Sequence, residues 1–383
     1  MPGFEVINHE EEKSVRSIFT NGNGVLFRHG FENLRKKSYK VESFENKFTK
    51  KFNTKFSLAV TSGTAALRVA LACCGITSKD EVITQSFTFV ATVEAIVESG
   101  AKPICTEIDQ TLNMCPIDLE KKISKKTKAV IVVHMLGMPA NMHEIKKICK
   151  KYKLILIEDT AWGIGGKYKN KFLGTIGDIG TYSFDFAKSL TTGEGGMIVF
   201  KKKKLFLKAK AWHDHGHENN PNVPRWEDTR KSSGFNFRMS ELQGAVGLAQ
   251  LNKFSKVFTR HKKNKSLILK KIIKFEEIQL RSIPKYCKEA AESLILIMQS
   301  KKQALQFRKL LLEQKYSTKI LPEATSWHFA GQWKHIKELK INNKNKFTAS
   351  KKILSKCVSI PIFYNMKKNF PDIIFNVIKK LKL

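Results

Sequence analysis

Acidic residues are scarce in this chain: 34 Asp and Glu stand against 69 Lys and Arg in 383 residues, a net charge of +35. Long apolar runs are missing too, which leaves no segment able to span a bilayer. The opening MPGFEVINHEEEKSVRSIF has no basic start followed by an apolar stretch, so no secretory signal is visible. The seven cysteines, at 73, 74, 105, 115, 149, 287 and 357, are odd in number and form no CxxC pair. That argues against a disulfide framework or a metal site and for reduced thiols. A cytoplasmic protein that does not engage a membrane is expected.

The basic excess is uneven. Residues 251–383 hold 31 Lys and Arg against 8 Asp and Glu, or +23, which leaves +12 for residues 1–250. Lysine alternates with Ile, Leu, Phe and Asn, as in KNKSLILKKIIKF, a pattern of solvated helix faces in a lysine-rich composition. The functional alternatives are a field that draws in an anionic substrate, or nucleic acid. Against nucleic acid, the lysines are scattered and no zinc-finger or RNA-recognition signature is present. The length suits a large domain followed by a smaller one.

Between residues 57 and 200 strand and helix patterns alternate. FSLAV, EVITQ, KPICTEI, KAVIVVHML and KLILIED read as strands, with SGTAALRVALACCGI, TFVATVEAIVESG and NMHEIKKICKKY as helices between them. Such alternation predicts an α/β fold with a mainly parallel sheet. DIGTYSF and GGMIVF read as two further strands. After about residue 250 the pattern changes to helices around the strand AESLILIMQ, which predicts a large domain over 1–250 and a smaller α+β domain over 251–383.

Three motifs carry chemistry. In VTSGTAAL, Ser62, Gly63 and Thr64 stand where a strand gives way to a helix, whose first N–H groups lack internal partners and favour an anion. An ordinary helix cap reads the same way. In LILIEDTAWGIGG, Glu158 and Asp159 end an apolar strand, the side of an open α/β sheet where ligands bind; a carboxylate there can pair with a cationic heterocycle nitrogen or simply cap the next element. In YSFDFAKSLTTGEGGMIVF, Lys188 follows Phe184, Phe186 and Ala187 and precedes a glycine-rich turn. In such company its amine loses basicity and becomes a nucleophile. A phosphate cradle, an acid and a strand-end lysine together describe a site for pyridoxal 5′-phosphate (PLP).

SGTAAL, TFVAT, IEDTA, YSFDFAKSLTTGEGG and GFNFRMSELQGA, in that order, resemble the DegT/StrS family of PLP-dependent sugar aminotransferases, from about residue 20 to at least 250. The resemblance implies fold type I, a mainly parallel seven-stranded sheet, and a homodimer with a shared site. It makes Lys188 the lysine that bonds the cofactor and carries protons, and Asp159 the partner of the ring nitrogen. Phe89 would stack on the ring, and Ser183 with Gly63 and Thr64 would hold the phosphate. Asn236 would reach the phosphate from the neighbouring subunit. Trp162 stands where many family members have Gln or His near the phenolic oxygen; its N–H donates but cannot accept.

In WHDHGHENNPNVPRWEDTR, His213, His215 and His217 alternate and would face one way on an extended segment, as metal ligands do, although transamination by PLP has no role for a metal. This stretch and the opening MPGFEVI resemble the branch that aminates C8 of a 3-deoxy-octulosonate, giving 8-amino-3,8-dideoxy-manno-octulosonate for lipopolysaccharide. His215 and Arg230 are candidate substrate contacts, with L-glutamate as the amine donor. A nucleotide-linked 4-keto-6-deoxyhexose is the other acceptor class, and a non-catalytic regulatory protein of the same fold is the other functional class.

Overall fold

The computed structural model describes residues 3–220, 222–339 and 347–381, so Met1 and Pro2 of the opening motif and Pro221 of the histidine-rich stretch lie outside it. Two helices lead in, α1 (His9–Gly22) and α2 (Lys40–Phe52). Strands β1 (Phe56–Val60), β2 (Glu81–Gln85), β3 (Lys102–Thr106), β4 (Thr127–Val133) and β5 (Ile155–Asp159) then alternate with α3 (Gly63–Cys73), α4 (Val90–Glu98), α5 (Pro116–Lys122) and α6 (Met142–Lys151). After the short strands β6 (Lys167–Tyr168) and β7 (Lys171–Phe172) come β8 (Ile179–Ser183), β9 (Gly196–Phe200) and α7 (Lys203–Trp212).

The main sheet has seven strands in the order β1-β9-β8-β5-β4-β2-β3. All neighbours run parallel except β9, which is antiparallel to β1 and β8. The α/β, mainly parallel architecture read from the alternation is the one observed. It follows from the apolar content of the strands, buried on both faces because helices cover each side. The reading of KAVIVVHML as one strand is corrected at its end. β4 stops at Val133, where Leu136 turns left-handed (φ 53°) within a short 3₁₀ turn.

Helix α8 (Glu241–Ile272) is 32 residues long, capped by Ser240 and Gln243 acting reciprocally. It runs unbroken through position 250. Beyond it, β10 (Gln279–Leu280), β12 (Ser293–Ile297) and β13 (Cys357–Pro361) form an antiparallel sheet, while β11 (Cys287–Lys288) pairs with β6. Helices α9 (Lys301–Glu313), α10 (Thr325–His328), α11 (Thr348–Leu354) and α12 (Phe370–Lys379) complete the chain. α8, α9 and α12 pack on that second sheet through Ile268, Phe307 and Ile374. Among the described residues no helix is long and apolar enough to cross a membrane.

Candidate active site

The C-terminal ends of β1, β5 and β8 converge on one cavity of about 430 Å³. Its lining includes Ser62, Gly63, Thr64, Asp159, Ser183 and Lys188, so the three motifs found separately in the sequence meet in space. Phe89 and Trp162 also line it, together with Ile320 and His328 from the C-terminal third. Asn236, His215 and Arg230 lie outside this cavity within the single chain.

Lys188 sits on the loop joining β8 to β9. Phe184 N–H donates to Gly195 O (2.8 Å) and Thr192 N–H to Phe184 O (2.9 Å), which closes the loop at its base. Gly196 is required there: a Cβ would lie 2.3 Å from the backbone oxygen of Ser62. The backbone of Lys188 is clamped as well, since Asp185 O accepts from its N–H (2.9 Å) and its own carbonyl accepts from Gly3 N–H (2.5 Å).

Four lysines of the described chain are buried: 188, 253, 265 and 319. Lys253 pairs with Glu11, Lys265 with Glu289 and Lys319 with Glu292. Among the described residues Lys188 has no carboxylate at ion-pair distance; its ammonium lies over the ring of Trp162, 3.4 Å from the centroid. Burial is the largest influence on it and brings it from the ordinary lysine range down to about 8. A buried cation disfavours its own charge, so the neutral amine is a minor but appreciable form at pH 7, roughly a tenth, and reaches about half near pH 8.

The two carboxylates that end β5 do different jobs. Glu158 is fully buried and accepts from Gly174, Ile176 and Gly177 N–H (2.9, 2.6 and 2.5 Å). It also accepts from His134 Nε2 (3.0 Å), and the tautomer is fixed because Ala140 N–H donates to His134 Nδ1 (3.1 Å). Glu158 is therefore a structural anchor. Asp159 faces the cavity, held by Ala161 N–H (3.1 Å) and Thr92 Oγ1 (2.8 Å). Burial raises its carboxyl above the ordinary range, against those hydrogen bonds and the nearby Lys188. A cation set against it would restore its charged form.

At the phosphate-cradle motif, Ser62 is the N-cap of α3, its Oγ accepting from Ala65 N–H (3.0 Å). Both readings of this serine meet here: it caps the helix and lines the cavity. A Cβ on Gly63 would lie 2.7 Å from the Cβ of Ser183. Only glycine lets the N-terminus of α3 approach Ser183, so helix N–H groups and the Ser183 and Thr64 hydroxyls surround one spot suited to an anion. An anion cradle, a carboxylate and a partly neutral lysine on one cavity are the groups PLP needs, and the residues fit it.

The histidine stretch resolves into separate partnerships. His213 is buried and its Nδ1 donates to Lys210 O (2.6 Å) at the end of α7. His217 Nδ1 donates to Asp228 (3.2 Å), and Arg230 donates to His217 Nε2 (3.3 Å). His215 is left-handed (φ 54°) and its N–H reaches Phe235 O. The reading in which all three face one way is corrected, because Gly216 turns the chain between them (φ 84°). The hub of the segment is Asp214, which accepts from Arg225 (2.8 and 2.5 Å) and Arg238 (2.5 Å) and meets His29 (3.3 Å).

Residues 32–381 match the model of the DegT/DnrJ/EryC1/StrS aminotransferase family. The chain is 38% identical over 243 residues to GDP-perosamine synthase of Escherichia coli O157:H7, covering 63% of this chain and 65% of that protein. It is 31% identical to the uncharacterized protein MJ1066 of Methanocaldococcus jannaschii, over 89% of this chain and 90% of that one. The aminotransferase of Psychrobacter cryohalolentis has the same fold, with a TM-score of 0.86 at 24% identity, covering 98% of this chain and 97% of that one. The chain belongs to the DegT/DnrJ/EryC1/StrS family of PLP-dependent aminotransferases.

Proposed function

We propose that this chain is a sugar aminotransferase that moves the amino group of L-glutamate to a keto- or aldehydo-sugar. The observation that supports it is the meeting of Lys188, Asp159 and the Gly63–Ser183 cradle on one cavity. When bound, PLP supplies an aldehyde that condenses with amines and a ring that accepts an electron pair. Asp159 would keep a proton on the ring nitrogen, and Ser183, Thr64 and the α3 N-terminus would hold the phosphate. Phe89 and Trp162 are the aromatic residues of the lining that would flank the ring. Lys188 Nζ would be the amine that holds the aldehyde carbon and, once the donor's amine has taken its place there, the base that carries a proton from the donor's α-carbon and later one to the acceptor's former carbonyl carbon. His328 Nδ1 donates to Ala324 O (2.8 Å), leaving Nε2 as the acceptor of that ring, and burial brings its pKa down to about 4.

The acceptor we favour is an 8-oxo-3-deoxy-octulosonate, giving 8-amino-3,8-dideoxy-manno-octulosonate for lipopolysaccharide, with the reaction in the cytoplasm. The His/Asn-rich segment, a compact unit built around Asp214 and Asp228, supports this reading by its resemblance to that branch. His215 and Arg230 in it are the candidate sugar contacts. The likeness to GDP-perosamine synthase supports the second reading, a nucleotide-linked 4-keto-6-deoxyhexose. The catalytic unit is a homodimer in which Asn236 of one subunit reaches the other's phosphate, and each subunit divides into residues 1–250 and 251–383. The test is direct. Glutamate-loaded protein is offered each acceptor, and recovery of the yellow cofactor spectrum with the octulosonate alone supports the first reading. Recovery with the nucleotide sugar alone replaces it with the second.

A further inference from the structure

Beside the cavity lies a charge pair that the proposed chemistry does not use. Lys319 and Glu292 are 5% and 2% exposed, with Nζ 3.3 Å from Oε1. Both come from the C-terminal third and are fixed by backbone: Lys319 N–H donates to Ser359 O (2.8 Å), and Glu292 O accepts from Ile362 N–H (3.2 Å). Close as they are, neither Lys319 Nζ nor Glu292 Oε1 completes an aligned hydrogen bond, so the attraction is one of charge rather than of directed bonding. The same Lys319 ammonium lies 4.6 Å from the centroid of the Trp162 ring, the ring that Lys188 touches at 3.4 Å. Among the described residues Trp162 Nε1 has no hydrogen-bond partner, and the indole is held by packing and by two ammonium groups. Those two charges are therefore within about 8 Å of each other in a site shielded from water, and an aromatic face attracts each of them.

We propose that the Lys319–Glu292 pair, acting across the Trp162 ring, sets how much of Lys188 stands neutral and ready to bond the cofactor. Lys319 and Glu292 are thus positioning residues for Lys188. The proposal rests on the reading of Lys188 as the cofactor lysine.

The signs follow from the neighbours. Of the charges acting on Lys188, Glu292 is the strongest that favours the ammonium and Lys319 opposes it; Asp185 and Asp159 side with Glu292. His328, on the cavity wall, is held uncharged by burial. Around the pair itself, Glu292 acts on Lys265 and Arg281, and Lys265 is already paired with Glu289. His261 faces Lys319 and is pushed down to about 3, chiefly by burial. While the pair is intact its two charges largely cancel at Lys188. Removing Lys319 leaves a negative charge, which favours the ammonium; removing Glu292 leaves a positive one, which favours the neutral amine.

The experiment uses the full-length protein stripped of cofactor. The rate of PLP capture is followed by absorbance across pH, with circular dichroism confirming the fold. For the unmodified chain the rate should rise with pH to half its maximum near about 8. In Lys319→Met that midpoint should move up, and in Glu292→Gln down, each by roughly one and a half pH units, the effect of a charge at about 8 Å in a medium of effective dielectric ~20. The double variant should return near the original midpoint. If Lys319→Met does not fold, Lys319→Gln, which is polar but uncharged, carries the same upward expectation. Loss of packing alone would move both midpoints the same way or neither, and either result overturns the proposal. An unmodified chain that captures no PLP would overturn the reading of the cavity itself, whereas normal capture with unshifted variants removes only the role of the pair.

Discussion

Glu158→Gln changes one atom at the end of β5 and tests whether the fold depends on that carboxyl. Four donors converge on it: Gly174, Ile176 and Gly177 N–H, and His134 Nε2. In the amide, Oε1 can still accept from Ile176 and Gly177, but the NH₂ group must face Gly174 N–H and His134 Nε2–H. The imidazole cannot reverse its tautomer, because Ala140 N–H already occupies Nδ1. Two donors thus meet two donors in a site with no exposure. Each hydrogen bond to a charged group is worth about 1.5–3 kcal/mol, so the loss should be about 3–5 kcal/mol, a large fraction of a domain's net stability. Urea unfolding followed by circular dichroism measures it. Glu158→Leu, which orphans all four donors, should cost more than Glu158→Gln. A Glu158→Gln protein within about 0.5 kcal/mol of the original would refute this account of the anchor.

Lys188→Ala should bind PLP but no longer be fixed to it by borohydride, and should lose turnover by roughly three orders of magnitude or more; mass spectrometry after reduction reads the first. Asp159→Asn should keep its fold and its cofactor while turnover falls on the order of a hundredfold or more, as measured with glutamate in single-turnover kinetics. Gly63→Ala forces a Cβ to 2.7 Å from the Cβ of Ser183; cofactor affinity should fall roughly tenfold or more by equilibrium dialysis, since α3 must retreat from the cradle. At Asp214, burial works against its charge, but His29 and Arg225 hold the carboxyl well below the usual range. Its stabilising effect is therefore complete above the ordinary carboxylate value and lost as pH falls below it. Asp214→Asn should lower stability by about 3 kcal/mol at neutral pH and flatten the acid limb of a stability-against-pH curve.

The sheet was legible because its strands are short apolar runs separated by amphipathic helices, and FSLAV, EVITQ and GGMIVF matched their strands closely. KAVIVVHML failed at its end because apolarity continues through Met135 and Leu136 while the backbone leaves the sheet. Buried apolar residues read alike in a strand and in a tight turn. The change of pattern near residue 250 was real in composition but hidden in structure, since one long helix carries both patterns. At the site, residues adjacent in sequence to a strand end were found, and those brought in by tertiary packing were not. His328 and Ile320 carry no local signal, and Thr92, inside an apolar helix, reads as core. Glu158 and Asp159 are neighbours of nearly the same chemistry; period-two alternation sends them to opposite faces, but only the donors around each decide which is anchor and which faces the cavity.

Among the described residues, what singles out Lys188 from the other buried lysines is the missing carboxylate partner. A buried ammonium is stable only when an opposite charge compensates its lost hydration, and Lys253, Lys265 and Lys319 obey this with Glu11, Glu289 and Glu292. Lys188 has an aromatic face instead, which attracts a cation far less than a carboxylate does, so burial lowers its amine to about 8. Asp159, on the wall of the same cavity, is held by Ala161 and Thr92 rather than by Lys188. The same scarcity of carboxylates that makes the chain so basic thus acts locally: one more acid at ion-pair distance from Lys188 would raise its amine back toward the ordinary lysine range.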